Sequence, residues 1–294
     1  MLALLLCLTS CHMRLADEHP ELRRKYEQLV ASQGTFGFFE QTWVQDILHP
    51  NWRYLLNAQQ EPIFRIPVVK KYGLSAYLQP LFLRSLPLLS GQSIADLSAL
   101  KSKLFLHLNI DAAQNNQLTN PVGKYQLLQW QEGIEQIRAG YSENVKRSLK
   151  KAKGLELRSI AYSAFHAFFV AQKGENLGSL TAAAWLRLEA LYAQAQLKEQ
   201  AFCVGVFLDD QLVAAGLFFS YQQKLYFMKG TLNEEGKPVG ALVFLLDAVL
   251  QQHADSCTAL DFVGSNQESI AAFYRKFGAK DNYYQVLKGR WPFV

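Results

Sequence analysis

The segment Leu260–Ala279, LDFVGSNQESIAAFYRKFGA, holds the residues best suited to chemistry. Tyr274 stands in Tyr274-Arg275-Lys276-Phe277-Gly278, at the end of an expected short helix with a glycine cap. A phenol there can give a proton to a leaving group, or it can pack its ring with the hydroxyl satisfied locally. Asp261 lies on an expected strand otherwise made of Leu260, Phe262 and Val263. A carboxylate in such a place must be hydrogen-bonded or charge-paired. It could deprotonate an incoming ammonium, fasten a neighbouring strand or cap a turn. Lys229 ends another apolar run, just before Gly230. It could steady a carboxylate or a phosphate, or snorkel to the surface. Ser265 and Asn266 follow the Asp261 strand as turn and N-cap residues. They are also placed for ligand contact, since α/β sheets open their clefts at the carboxyl ends of strands.

These residues need a scaffold, and the composition provides for one. The chain has 294 residues, half of them hydrophobic, enough for one large or two medium domains. Its net charge of +5 welcomes phosphates or an anionic polymer but is too small to indicate a nucleic-acid binder, and no DNA partner is expected. The cysteines, Cys7, Cys11, Cys203 and Cys257, form no CxxC pair. They suit buried thiols in a reducing compartment. The six histidines show neither HxxxH nor HExxH spacing, so no metal site is expected. Outside the first residues no apolar stretch reaches the roughly 20 residues that cross a bilayer, and a cytoplasmic protein is expected. Leu8-Thr-Ser-Cys11 nevertheless resembles a lipoprotein box. The alternatives are an anchor through Cys11 or a true start at Met13.

Hydrophobic patterning divides the chain into an extension (1–20), a first domain (21–140), a basic helix (141–154) and a second domain (155–294). In the first domain we expect helices over Glu21–Ala31, Gln41–Leu48, Ile94–Lys103 and Gly133–Ala139. Strands are expected over Phe36–Phe39, Trp52–Asn57, Pro62–Lys70, Leu104–Ile110 and Tyr125–Trp130. The second domain reads β-α-α-β-β-β-α-β-α-β, with tight reversals at Asp209-Asp210 and Gln222-Gln223. A meander followed by βαβ implies an α/β fold with a mixed, mostly antiparallel sheet flanked by helices. On a helical wheel Lys146, Arg147, Lys150, Lys151 and Lys153 fall opposite Val145, Leu149 and Ala152.

That order of elements and the closing Tyr-x-Lys-x-Gly motif resemble the GNAT superfamily of N-acyltransferases. Three segments are similar to its tandem-domain, Fem-type branch: the opening segment, the helix Tyr141–Ala152 followed by Lys153-Gly154-Leu155, and the central strand Tyr226-Phe-Met-Lys-Gly230. The resemblance implies two GNAT-like domains in tandem and transfer of an acyl or aminoacyl group to an amine. It implies no permanently bound cofactor: acyl-CoA is the expected donor, with charged tRNA as the alternative and peptidoglycan precursors as its acceptors. A non-catalytic ligand-binding member is the other reading, and either a monomer or a homodimer would serve.

By the same resemblance Tyr274 protonates the leaving thiolate, Asp261 relays the amine's proton, and Lys229 and Ser265 touch substrate. Lys237, Val239, Gly240, Ala241 and Asn266 would hold the donor. The family's Gln/Arg-x-x-Gly-x-Gly/Ala motif corresponds here to Lys237-Pro-Val-Gly240-Ala-Leu242. Leu242 occupies its last small position.

Overall fold

A computed structural model of the chain describes residues 13–33, 37–71, 73–89, 91–93, 95–97, 100, 103, 105–111, 122–174, 180–264 and 266–289. The first half runs β1 (Arg14–Asp17), α1 (Pro20–Ser32), a 3-10 turn (Phe38–Glu40), α2 (Thr42–Leu48), β2 (Trp52–Leu56) and β3 (Pro62–Pro67). It continues through β4 (Val69–Lys71), β5 (Leu74–Leu78), β6 (Leu86–Pro87), β7 (Leu106–Asp111), β8 (Val122–Gln129) and α3 (Gly133–Ala139). The basic helix is α4 (Glu143–Lys151). Then follow β9 (Leu155–Ser159), α5 (Tyr162–Lys173), α6 (Ala182–Gln196), β10 (Ala201–Leu208), β11 (Gln211–Tyr221) and β12 (Lys224–Leu232). The remainder is α7 (Ala241–His253), β13 (Ala259–Asp261), α8 (Glu268–Arg275) and β14 (Lys280–Lys288).

The second half has the element order expected of it. Both hairpin reversals carry positive φ at their two central residues, 47° and 61° at Asp209 and Asp210, 46° and 60° at Gln222 and Gln223. That is the turn whose twist matches its flanking strands.

The first half departs in three places. The expected extension holds a strand opened by Arg14, β1, which pairs antiparallel with β2. Phe38 and Phe39 lie in a 3-10 turn where a strand was expected. In a strand neighbours point to opposite faces, yet both rings are buried against Phe219, at 4.6 and 6.3 Å between centroids. The expected strand Pro62–Lys70 is two strands, β3 in a three-stranded sheet and β4 in the main one. Half of the expected helix Ile94–Lys103 lies outside the described residues.

The main sheet runs β4-β5-β7-β14-β8-β13-β12-β11-β10-β9, with β6 alongside β7. It is mixed: β12 pairs parallel with β13, and β5 and β6 pair parallel with β7. The final strand, β14, lies between β7 and β8 and is antiparallel to both. In turn β8 lies between β14 and β13. One continuous sheet therefore crosses both halves of the chain.

Its faces bury two large cores. One joins the 3-10 turn, α2, β7, α5 and α6; the other gathers around α7 with Val145 of α4, Leu260 and Phe277. Cys203 and Cys257 are buried free thiols. Burial pushes the Cys203 thiol up to about 12, which keeps it protonated and inert. Among the described residues no helix is long and apolar enough to cross a membrane.

Candidate active site

β12 and β13 are paired only over Lys224–Tyr226 and Ala259–Asp261. Beyond Tyr226 and Asp261 they part, and residues from both lips line a cavity of about 630 Å³. The backbone is forced open on the β13 side. Val263 has φ 55° and Gly264 φ 96°. The left-handed region is easy for glycine but strained for a β-branched residue. Asp261 holds this bend, its Oδ1 accepting from the Val263 N–H at 2.8 Å. Its Oδ2 is paired with Arg84 Nη1. The carboxylate is buried and belongs to a residue that does not line the cavity.

Arg84 comes from the first half. Its guanidinium lies 3.8 Å from the Tyr125 ring centroid, and Nη2 is 3.4 Å from Asp111. Burial works against its charge; Asp261 and Asp111 more than offset that and raise its pKa. The same segment brings Leu81, Phe82 and Leu83 to the cavity wall. Phe82 too has positive φ, 67°. Two bulky residues in left-handed conformation, Phe82 and Val263, therefore line the cavity, a form of strain that concentrates where a backbone is shaped for a ligand.

Tyr274 lines the cavity from α8. Its ring stacks on Phe262 at 4.1 Å and meets Phe227 edge-on at 6.3 Å. Burial raises its pKa to about 12. The hydroxyl therefore stays protonated at any ordinary pH, able to donate a hydrogen bond and never to act as a base.

Lys229 lines the same cavity with Nζ 5.9 Å from the Phe82 ring centroid. Burial lowers its pKa, and among the described residues no carboxylate counters that. Its position depends on an irregularity in β12. Leu217 pairs with Lys229 and Phe218 with Phe227, so Met228 is an extra, unpaired residue. Such a bulge re-aims the side chains that follow it.

The lowered Lys229 value means that the unfolded chain holds the proton more tightly than the folded one. The resulting penalty is complete below the folded pKa and is relieved as pH rises towards the ordinary 10.5. Lys229→Met is therefore expected to raise the melting midpoint of the ligand-free protein. The gain should be largest near neutrality and shrink in alkaline buffer, as read by thermal denaturation across pH.

The other expected site residues are more dispersed. Lys237 is ion-paired with Glu234. Val239 packs at the edge of the α7 core and Ala241 is buried within it. Gly240 opens α7 with φ 68°, and no side chain caps the helix. A Cβ on Gly240 would lie 3.1 Å from Ser148 Cβ and 3.3 Å from its carbonyl oxygen, so α4 presses on the start of α7 there. None of these four residues lines the cavity, which reaches α7 at Leu242. Asn266 accepts from Lys124 N–H at 3.0 Å and donates to the Tyr284 hydroxyl at 3.1 Å. It ties α8's approach to β8 and β14. Ser265 lies outside the described residues.

The structure thus brings Tyr274 and Lys229 to one cavity, with Asp261 just behind its wall. Sequence reasoning missed Arg84, Phe82 and Lys173, which also line it. The available signal was a single Arg in the apolar run Leu81-Phe-Leu-Arg84-Ser-Leu-Pro-Leu-Leu89.

Comparison with known proteins agrees with this architecture. Residues 139–275 match the family model described as an acetyltransferase (GNAT) domain. No curated protein sequence matches the chain. A crystal structure of FemX superposes with a TM-score of 0.61 at 12% identity, covering 92% of this chain and 97% of that one. A tandem GNAT protein from the clavulanic acid biosynthesis pathway, solved without AcCoA, gives 0.52 at 12% identity, covering 93% and 97%. At such identities the likeness is one of fold. The cleft between β12 and β13 thus lies within the segment that matches the GNAT acetyltransferase domain model, and the chain as a whole shares its α/β fold with FemX and with a tandem GNAT protein.

Proposed function

We propose that the protein is an N-acyltransferase that moves an acyl group from an activated donor, in the first instance an acyl-CoA, to an amine. The observation that carries this reading is the parting of β12 from β13 around a cavity lined by Tyr274. An activated carbonyl fits between the strands, where the unpaired edge of β12 beyond Tyr226 can offer N–H groups to its oxygen. The amine nitrogen attacks, the C–N bond forms, and the bond to the leaving sulfur breaks. The ammonium proton passes to water at the open cleft.

A thiolate is less basic than the Tyr274 phenolate would be. The hydroxyl therefore stabilises the leaving sulfur by donating a hydrogen bond. Asp261 is a positioning residue in this scheme: it holds Arg84 and the Val263 turn that keeps the strands apart. The uncapped start of α7, formed by Val239, Gly240 and Ala241 with Lys237 nearby, suits the donor's pyrophosphate. Leu242 narrows the approach.

Binding and turnover test the reading together. A donor that binds the folded state raises the melting midpoint, so acetyl-CoA, longer acyl-CoAs and charged tRNA can be compared directly. The expected result is a shift with at least one acyl-CoA, followed by amide formation with that donor. No shift with any donor would favour a non-catalytic binding protein.

One observation favours charged tRNA, acting on a peptidoglycan precursor, as a second reading. Lys150 and Lys151 at the end of α4 and Lys153 just beyond it are exposed, and Ser148 of α4 touches the start of α7. An oxygen leaving group is also basic enough to take the Tyr274 proton outright. If tRNA is the donor, its affinity should fall steeply with salt. Changing Lys150 and Lys151 to Gln should flatten the log–log slope by about 2, measured by filter binding. A flat slope in the unaltered protein removes this reading.

A further inference from the structure

The cavity has two sides of different character, and the bulge at Met228 divides them. Before the bulge, Tyr226 packs into the core shared with Phe38 and Phe219, while Phe227 packs into the core around α7. Strict alternation would send Lys229 to the α7 side with Phe227. The extra residue reverses this. Lys229 sits opposite Leu217, a member of the other core, and its ammonium lies over Phe82. Lys173, exposed at the end of α5, lines the same side. Leu242 and Phe273 line the other, packed around α7.

The charges in this cavity are one-sided. Arg84, Lys173 and Lys229 line it, and among the described residues no Asp or Glu does. Arg84 is taken up by Asp261 and Asp111. Among the described residues Lys229 has no such partner, and desolvation is what acts on its ammonium. An unpaired cation in a partly buried site is costly unless something completes it. The chain meets that cost at a position where a bulge turns the side chain inward.

We propose that the side of the cleft walled by Phe82, Lys173 and Lys229 receives an anionic group, a carboxylate or phosphate, carried by the acyl acceptor. The word acceptor rests on the acyltransferase reading; the anion site itself does not. With the donor held from the α7 side, an acceptor anchored by its anion on Lys229 presents its amine to the parted strands. Lys229 would then act in binding, and its aliphatic stem against Phe82 would favour acceptors with an apolar spacer between anion and amine.

The test uses the full chain and needs no acyl donor. Melting midpoints are followed while titrating glutarate, inorganic phosphate and neutral glutaramide at constant ionic strength. Unaltered protein, Lys229→Met, Lys229→Gln and Lys173→Met are compared. The expected result is saturable stabilisation of the unaltered protein by glutarate or phosphate, but not by glutaramide. In both Lys229 variants the affinity should fall at least about tenfold, equivalent to 1.4 kcal/mol, with a smaller loss in Lys173→Met. The glutarate and phosphate arms show which anion the site prefers. Equal stabilisation of the unaltered and Lys229 variants overturns the proposal, and so does no response to either anion. Using two Lys229 replacements covers the case in which one fails to fold. If anions bind as expected but no donor supports amide formation, the acyltransferase reading fails and the anion site stands. If turnover occurs and anions are ignored, the reverse holds.

Discussion

Arg84→Met is expected to destabilise the protein by about 3–5 kcal/mol, the usual cost of removing one partner of a buried ion pair. The loss is large because Asp261 is almost wholly buried, at 1% exposure, and would be left with the hydrogen bond from the Val263 N–H in place of its ion pair. Arg84 also gives up its stacking on Tyr125 and its contact with Asp111. Replacing both partners, as Arg84→Met with Asp261→Asn, should cost less than the single change, because no charge is left stranded. Denaturant unfolding of the two single variants and the double variant measures this coupling. A single-variant loss below about 1 kcal/mol would show that water reaches the pair and that it does not brace the cleft. Activity should fall along with stability, since the Asp261 that Arg84 holds also sets the bend at Val263.

Tyr274→Phe has the opposite profile: a near-silent effect on folding and a large one on turnover. The ring keeps its stack on Phe262, and only a hydroxyl is lost. Removing a donor aimed at developing negative charge typically costs about 10²–10³ in kcat, and a fall of roughly 10²-fold is expected here with thioester donors. An oxyester donor, whose leaving oxygen needs the proton itself, should suffer more. The pH profile gives an independent check. With its pKa raised to about 12, the phenol stays protonated through pH 10, so kcat should show no alkaline fall near the ordinary tyrosine value of about 10. An intact kcat in the Phe variant, with any donor the enzyme uses, would sink the leaving-group role.

The second half of the fold was legible because its signals are local. Alternating strands, two polar reversals and a Gly-capped helix each declare themselves within a dozen residues, and every element from β9 to β14 was expected in its order. The first half has shorter elements whose partners lie far along the chain. Nothing within Arg14–Asp17 reveals that β2 will pair with it. The Phe38-Phe39 pair reads as strand by composition, and only contact with Phe219 and Tyr226 explains the turn.

The site followed the same division. Tyr274 and Lys229 were legible from residue type and motif, and Asp261 announced that it needed a partner. The partner is 177 positions away, a distance no local pattern spans. The bulge at Met228, which decides where Lys229 points, arises from register with β11 and leaves no mark in the order of residue types.

The place of β14 bears on how the chain can be made. Strand β8 has only β13 and β14 as neighbours, and β7 has β14 on one side. A nascent chain that has emerged as far as α3 therefore carries one strand, β8, with neither neighbour yet made, and another, β7, with one edge still open. These must wait, shielded or chaperoned, through the synthesis of nearly the whole second half. The ribosome delivers the strand that joins them almost last, so biogenesis ends where the two halves become one sheet.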